Sequence, residues 1–280
     1  MTSAAVGPLI AVFAKNILHI ELSWAMWAMA GLVPGGICLA LIPLVIYKLY
    51  PPEIKYTPEA KQIAAAELAK MGPMSKAEKT MLSVFIMALV LWSTATITKL
   101  DATAVAMLGV CVMLVSRVID YKDVTEEKGS WDTLIWMGSL TALATGLSKF
   151  GLIPWFAKTV GAAMSSVPWA IALAALCLVY MYCHYGFASM AAHVTAIYPA
   201  FIAVAGATGA PPLLAVMSLA FLSTLCGGLT HYASGSAPVY FGPGYVSQAD
   251  WWRLGFIMSL VYVTVFGTVG LGWWKIIGLW

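Results

Sequence analysis

Two stretches decide how this sequence is read: His184-Tyr185-Gly186-Phe187-Ala188-Ser189-Met190-Ala191-Ala192-His193 and Cys226-Gly227-Gly228-Leu229-Thr230-His231-Tyr232-Ala233-Ser234-Gly235-Ser236-Ala237-Pro238. Both place polar, glycine and histidine residues inside a region, Leu178 to Tyr245, that is otherwise apolar enough to lie in a bilayer. Lipid offers no partners to open N–H and C=O groups, so irregular backbone at membrane depth survives only where protein buries it or it lines a wet cavity. Such breaks mark a site, and the remainder of the chain is read as what holds them.

Composition supports that setting. The chain has 61% hydrophobic and 10% charged residues, against about 25% charged in soluble domains. Several apolar runs approach the roughly 20 residues of a helical span rather than the short alternating segments of a barrel strand. The expectation is an all-α, multi-pass integral membrane protein. The net charge of +3 is small and the lysines fall in loops, so nucleic acid is not expected as a partner. The five cysteines sit in apolar segments without a CxxC pair, as buried small hydrophobes rather than a disulfide framework.

In chain order, residues 1–23 read as a half-helix and loop, with Pro8 where a first helical turn tolerates it. Residues 24–50 read as a span with Trp24 and Trp27 at one end and Tyr47 and Tyr50 at the other. Residues 51–79 form a lysine-rich linker with an amphipathic surface helix, and residues 80–130 hold two further spans and a charged loop. Residues 131–280 carry both breaks. The first is too interrupted for two ordinary spans and is read as the tip, Gly186 to His193, of a re-entrant hairpin over about 168–204. The second divides a broken helix over about 211–246, which Val239 to Val246 would complete.

The linker lysines place that loop in the cytoplasm by the positive-inside rule. The chain's ends also resemble each other. Thr2, Ala5, Gly7 and Phe13 recur as Thr230, Ala233, Gly235 and Phe241, and Trp27 and Gly31 recur as Trp251 and Gly255. With the two copies crossing in opposite senses, the pattern is that of an inverted-repeat secondary transporter. The first repeat would be incomplete: a chain opening at a midplane loop predicts an upstream segment on the order of 200 residues.

From Leu229 to Val246, with Trp251 beyond, the sequence resembles the divalent anion:sodium symporter family. It is most similar to that family's branch of citrate, tartrate and 2-oxoglutarate/malate exchangers, and to their C-terminal portion. The resemblance is carried by Trp131-Asp132-Thr133-Leu134-Ile135-Trp136, Gly146-Leu147-Ser148-Lys149-Phe150-Gly151-Leu152, His184 to Ser189 with Ala192-His193, and Thr230 to Pro238. It implies a scaffold domain, a homodimer, an elevator-type transport domain, and a Ser-Asn-Thr-like hairpin tip. Here the corresponding tip is Ser189-Met190-Ala191, which keeps only the serine.

That resemblance implies a di- or tricarboxylate substrate, such as succinate, malate, citrate, tartrate or 2-oxoglutarate. Helix N-termini offer free N–H donors and a partial positive charge to such an anion. Ser189, His193, Thr195, Thr230, His231, Ser234, Gly235 and Ser236 are the candidate substrate-binding residues. Packing of small residues between helices is the competing account of the same positions. Thr2, Ser3, Gly7, His193 and His231 are candidates for a cation or counter-charge site, with a histidine cation replacing bound sodium. Exchange is therefore expected, with sodium symport as the alternative and Na⁺ as a possible coupling ion. A transport-inactive fragment or accessory subunit is the reading from another class. Neither break contains a carboxylate, so enzyme chemistry is not expected. The spacings of His184, His193, His231, Cys183 and Cys226 match no recognised zinc pattern, so no metal site is expected. A bacterial inner membrane is the expected location.

Overall fold

The computed structural model describes residues 6–164 and 166–280, and among these every regular element is helical. In order they are α1 (Val6–Leu18), α2 (Trp24–Leu49), α3 (Ala60–Met71), α4 (Lys76–Ser93), α5 (Ala95–Thr98), α6 (Ala102–Val115), α7 (Tyr121–Glu126) and α8 (Lys128–Lys149). There follow α9 (Leu152–Ala163), α10 (Trp169–Cys183), α11 (Met190–Ala207), α12 (Pro212–Leu225), α13 (Ala237–Phe241), α14 (Gln248–Val265) and α15 (Leu271–Ile276). Among the described residues, four stretches are long and apolar enough to cross a membrane: Trp24–Leu49, Trp169–Gly186, Met190–Ala207 and Gln248–Ile276.

The chain divides into two units. One comprises residues 23–25 and 45–132. Here α4 begins with a reciprocal cap in which Ser75 Oγ accepts the Glu78 N–H and Glu78 accepts the Ser75 N–H. That backbone bond holds the Glu78 carboxyl below its usual range. Asp101 caps α6 by accepting from the N–H groups of Thr103 and Ala104, at 2.9 and 3.1 Å. Helices α4 and α6 meet where Val84 lies against Gly109, and a Cβ on that glycine would sit 3.3 Å from Val84 Cγ1.

The other unit, residues 1–22, 26–44 and 133–280, holds most of the core. Helix α1 buries Val6, Leu9, Ile10, Phe13 and Ala14, at the spacing of one helical face, and packs on α11 and α12. Helix α9 reaches α11 at Gly161, where a Cβ would lie 2.8 Å from Ala207 Cβ. In α2, Pro34 has no N–H to give the Ala30 carbonyl four residues earlier. The Trp274 indole N–H takes that role at 2.9 Å, and Trp273 donates to the Met29 carbonyl at 2.8 Å. Phe221 stacks on Trp274 and lies beside Trp27 and Phe266. A π-helical turn, Phe266–Gly270, brings Gly270 to Pro34. The proline defect is thus sealed by aromatic residues far away in sequence.

Both breaks are present, but their helical limits differ from the sequence reading. At the first, a 3₁₀ turn (His184–Gly186) follows α10 directly and α11 resumes at Met190, so His193 lies in a helical turn rather than at an irregular tip. Each arm of this hairpin is itself long and apolar enough to cross. At the second, a 3₁₀ turn (Cys226–Gly228) ends α12. Helix then returns only for the five residues of α13, a rise of roughly 7 Å. Val239 to Val246 is therefore not a helical half-span, because Gly242 and Gly244 end α13 in a loop.

Candidate functional site at the paired breaks

The two breaks lie against each other. The Tyr232 hydroxyl donates to the Tyr185 carbonyl at 2.9 Å, and His184 Nε2 donates to the Ala233 carbonyl at 3.1 Å. Gly227 makes the approach possible, since a Cβ there would sit 2.9 Å from Met190 Sδ and 3.5 Å from Ser234 Cβ. Behind the second break, Gly255 of α14 lets the Gly228 and Leu229 carbonyls close in. An added Cβ would stand 2.6 and 2.7 Å from those oxygens. Thus open backbone groups are packed by glycine contacts and bonded by side chains, as backbone within a membrane requires.

Side chains from α10 and α12 fix the floor of this region. The Ser223 hydroxyl donates to the Leu219 carbonyl and accepts from the Tyr180 hydroxyl, both at 2.7 Å. Tyr198 donates to the Val216 carbonyl at 3.1 Å. Tyr182 reaches Ser259 of α14, whose own hydroxyl is spent on the Phe256 carbonyl. Each of these four hydroxyls, of Tyr180, Ser223, Tyr198 and Ser259, has a partner, which is what makes it tolerable away from water.

The candidate substrate residues separate into three groups. Ser189 is the N-cap of α11, accepting the Ala192 N–H at 3.1 Å, while the first N–H groups of the helix have no partner within it. Ser234, Gly235 and Ser236 lie on the accessible side of the second break, with the two hydroxyls 3.3 Å apart. Thr195, Thr230 and His193 are buried. Thr195 donates to the Ala191 carbonyl in its own helix at 2.7 Å, whereas Thr230 Oγ1 has no partner among the described residues. Gly7 is enclosed in α1, and Thr2 and Ser3 lie outside the described residues.

The histidines have three different surroundings. His231 is half-buried, and its Nδ1 accepts the Trp252 indole N–H at 3.2 Å. An indole only donates, so Nδ1 is unprotonated and Nε2 carries the proton, making His231 a neutral N–H donor. His193 is fully buried between Tyr180, Phe187 and His184, at ring distances of 4.3, 5.1 and 4.8 Å. The Tyr180 carbonyl lies beside the ring, yet Nε2 completes no hydrogen bond of normal geometry. His184 is equally buried and carries its own bare atom, Nδ1.

Some residues that build this arrangement were given no role by sequence, Tyr185, Tyr232 and Trp252, while Met190 was read only as part of the hairpin tip and Gly255 only as a repeat match to Gly31. Their positions beside or inside the breaks were the available signal. Arg253 pairs with Asp250 at 3.1 Å, and Asp250 also accepts from the Ser247 hydroxyl at the start of α14, so the two charges are engaged with each other.

The profile of the sodium:sulfate symporter transmembrane region matches residues 1–280. A Bacillus subtilis protein named "Putative malate transporter YflS" is 48% identical over 280 residues, covering 100% of this chain and 59% of that protein. Dicarboxylate transporter 1 of Arabidopsis thaliana chloroplasts is 43% identical over 282 residues, covering 100% and 51%. The inner membrane protein YbhI of Escherichia coli is 36% identical over 267 residues, covering 95% and 56%. The chain therefore spans between half and three fifths of the length of these relatives, and matches their C-terminal part. A match along its whole length makes this chain an integral membrane protein of the sodium:sulfate, or divalent anion:sodium, symporter family.

Proposed function

We propose that the paired breaks form the carboxylate-binding part of a di- or tricarboxylate carrier of a bacterial inner membrane, working by anion exchange. The observation that carries this reading is the direct contact of the two breaks. It brings the capped start of α11 and the accessible Ser234–Ser236 pair into one region. Free helix N–H groups, serine hydroxyls and the Nε2–H of His231 are all donors, suited to a carboxylate. The names of the relatives, malate and dicarboxylate transporters, support the substrate class.

Of the histidines, His231 enters this proposal as a neutral donor rather than a cation. His231 is held in one tautomer by Trp252, and His193 has an aromatic enclosure in which a charge would be expensive. Exchange is compatible with a site lacking a fixed counter-charge, because dianions of equal charge move in both directions. Inverted repeats, elevator movement and a homodimer complete the proposal. Sodium symport is the second reading, favoured by the irregular backbone at 229–236, whose carbonyls could coordinate Na⁺.

Counterflow tests the choice. Labelled malate should enter vesicles carrying the protein only when they are preloaded with unlabelled dicarboxylate, and equally with or without sodium. Sodium-dependent uptake into empty vesicles would instead establish symport. Absence of uptake by inserted, folded protein would reject autonomous transport by this chain.

A further inference from the structure

We propose that His184, His193 and Cys226 form a soft-metal site, fitted to Zn²⁺, that staples the first break to the second. The sequence spacing gave no such expectation, because the three residues come from the end of α10, the first turn of α11 and the end of α12. Folding nevertheless brings one ligand atom from each within 4.8 Å of the others, and all three residues are buried. Cys183 and His231, which were also considered by sequence, fall elsewhere: Cys183 is exposed and His231 is bound to Trp252.

The hydrogen bonds point to a ligand. His184 Nε2 faces the Ala233 carbonyl, which can only accept, so that nitrogen carries the ring proton and Nδ1 presents a lone pair. That lone pair is buried and receives no donor among the described residues. A metal-bound histidine shows the same arrangement, with its distal N–H fixed on a backbone carbonyl. Among the described residues His193 Nε2 is likewise buried without a hydrogen bond, the Tyr180 carbonyl beside the ring notwithstanding, and Nδ1 lies 3.9 Å from Cys226 Sγ. Two imidazoles around one thiol, each with one nitrogen partnered and one bare among the described residues, are difficult to account for by packing alone.

Tetrahedral zinc, with bonds of about 2.0–2.3 Å, separates its ligand atoms by roughly 3.3–3.6 Å. Contraction from the observed spacing requires shifts of about an ångström. The turn carrying His184 is exposed at Gly186 and Ala188, which gives an ion a way in. On binding, the Cys226 S–H bond, now directed at the Ser223 carbonyl, breaks as the S–metal bond forms. One proton leaves to the buffer for each ion bound. The fourth position is left to water.

Cobalt(II) reports such a site directly. The intact protein in detergent, titrated with Co²⁺, should develop one equivalent of a near-ultraviolet thiolate-to-cobalt band that Zn²⁺ abolishes. Cys226→Ser should lose the band and Cys111→Ser should keep it. His184→Gln should weaken the affinity by at least about tenfold. A folded wild-type protein with no band, or a band that survives Cys226→Ser, would overturn the proposal. Neither result depends on transport, so the carboxylate reading stands or falls separately.

Discussion

At the first break, between Cys183 and Met190, the polar groups turn inward. His184 is fully buried, as is His193 in the first turn of the helix that follows, and the Tyr185 carbonyl is taken by Tyr232. At the second, between Leu225 and Ala237, the chain is irregular for longer and divides its residues. Cys226, Leu229, Thr230 and Ala233 face the core, while Gly235 and Ser236 are accessible. One interruption mainly fastens and the other both fastens and presents donors. A chain in lipid can keep a long irregular segment when a shorter, rigid turn beside it supplies bonding partners.

The largest effect should come from removing the support behind the second break. In Gly255→Ala the new methyl meets two backbone carbonyls that cannot rotate away, and about 3 kcal/mol of stability should be lost. Thermal denaturation in detergent would read this as a marked drop in Tm, and an unchanged Tm would contradict the close packing. Tyr232→Phe removes one of the hydrogen bonds between the breaks, leaving that of His184, and takes the partner from the Tyr185 carbonyl. A loss of about 1–2 kcal/mol is expected, with faster hydrogen exchange at both breaks rather than at one.

Ser236→Ala sharpens the contrast, because its side chain is exposed and bonded only to Ser234. Stability should change by less than about 0.5 kcal/mol, whereas exchange under subsaturating malate should fall about tenfold, or about 1.4 kcal/mol. Equal transport by variant and parent would remove this serine from the site. The smallest effect is expected for Gly227→Ala, where the added methyl meets the mobile end of Met190. A cost below about 1 kcal/mol should be relieved further by Met190→Ala, as a double-mutant comparison of melting curves would show.

The helical, membrane-spanning class was legible because hydropathy and span length are local properties. The breaks were legible for the same reason: histidine, serine and glycine interrupt an apolar run. Their helical limits were less so. Ser189 reads equally well as a binding hydroxyl or a helix cap, and only the bond to the Ala192 N–H assigns the cap. The α13 half-helix was read as longer since Val239, Tyr240 and Phe241 are apolar, but Gly242 and Gly244 stop it. Pairing across long sequence separations was the least accessible. Trp274 on Ala30, His184 on Ala233 and Cys226 near His193 depend on which helices become neighbours, and no local periodicity encodes that.

The most direct test of the central claim is a double-mutant cycle for malate binding, measured by calorimetry on the parent protein, Ser189→Ala, Ser236→Ala and the double variant. One anion held by both breaks predicts non-additivity of about 1 kcal/mol. Losses that add to within about 0.3 kcal/mol, or no loss at either position, would contradict a shared site.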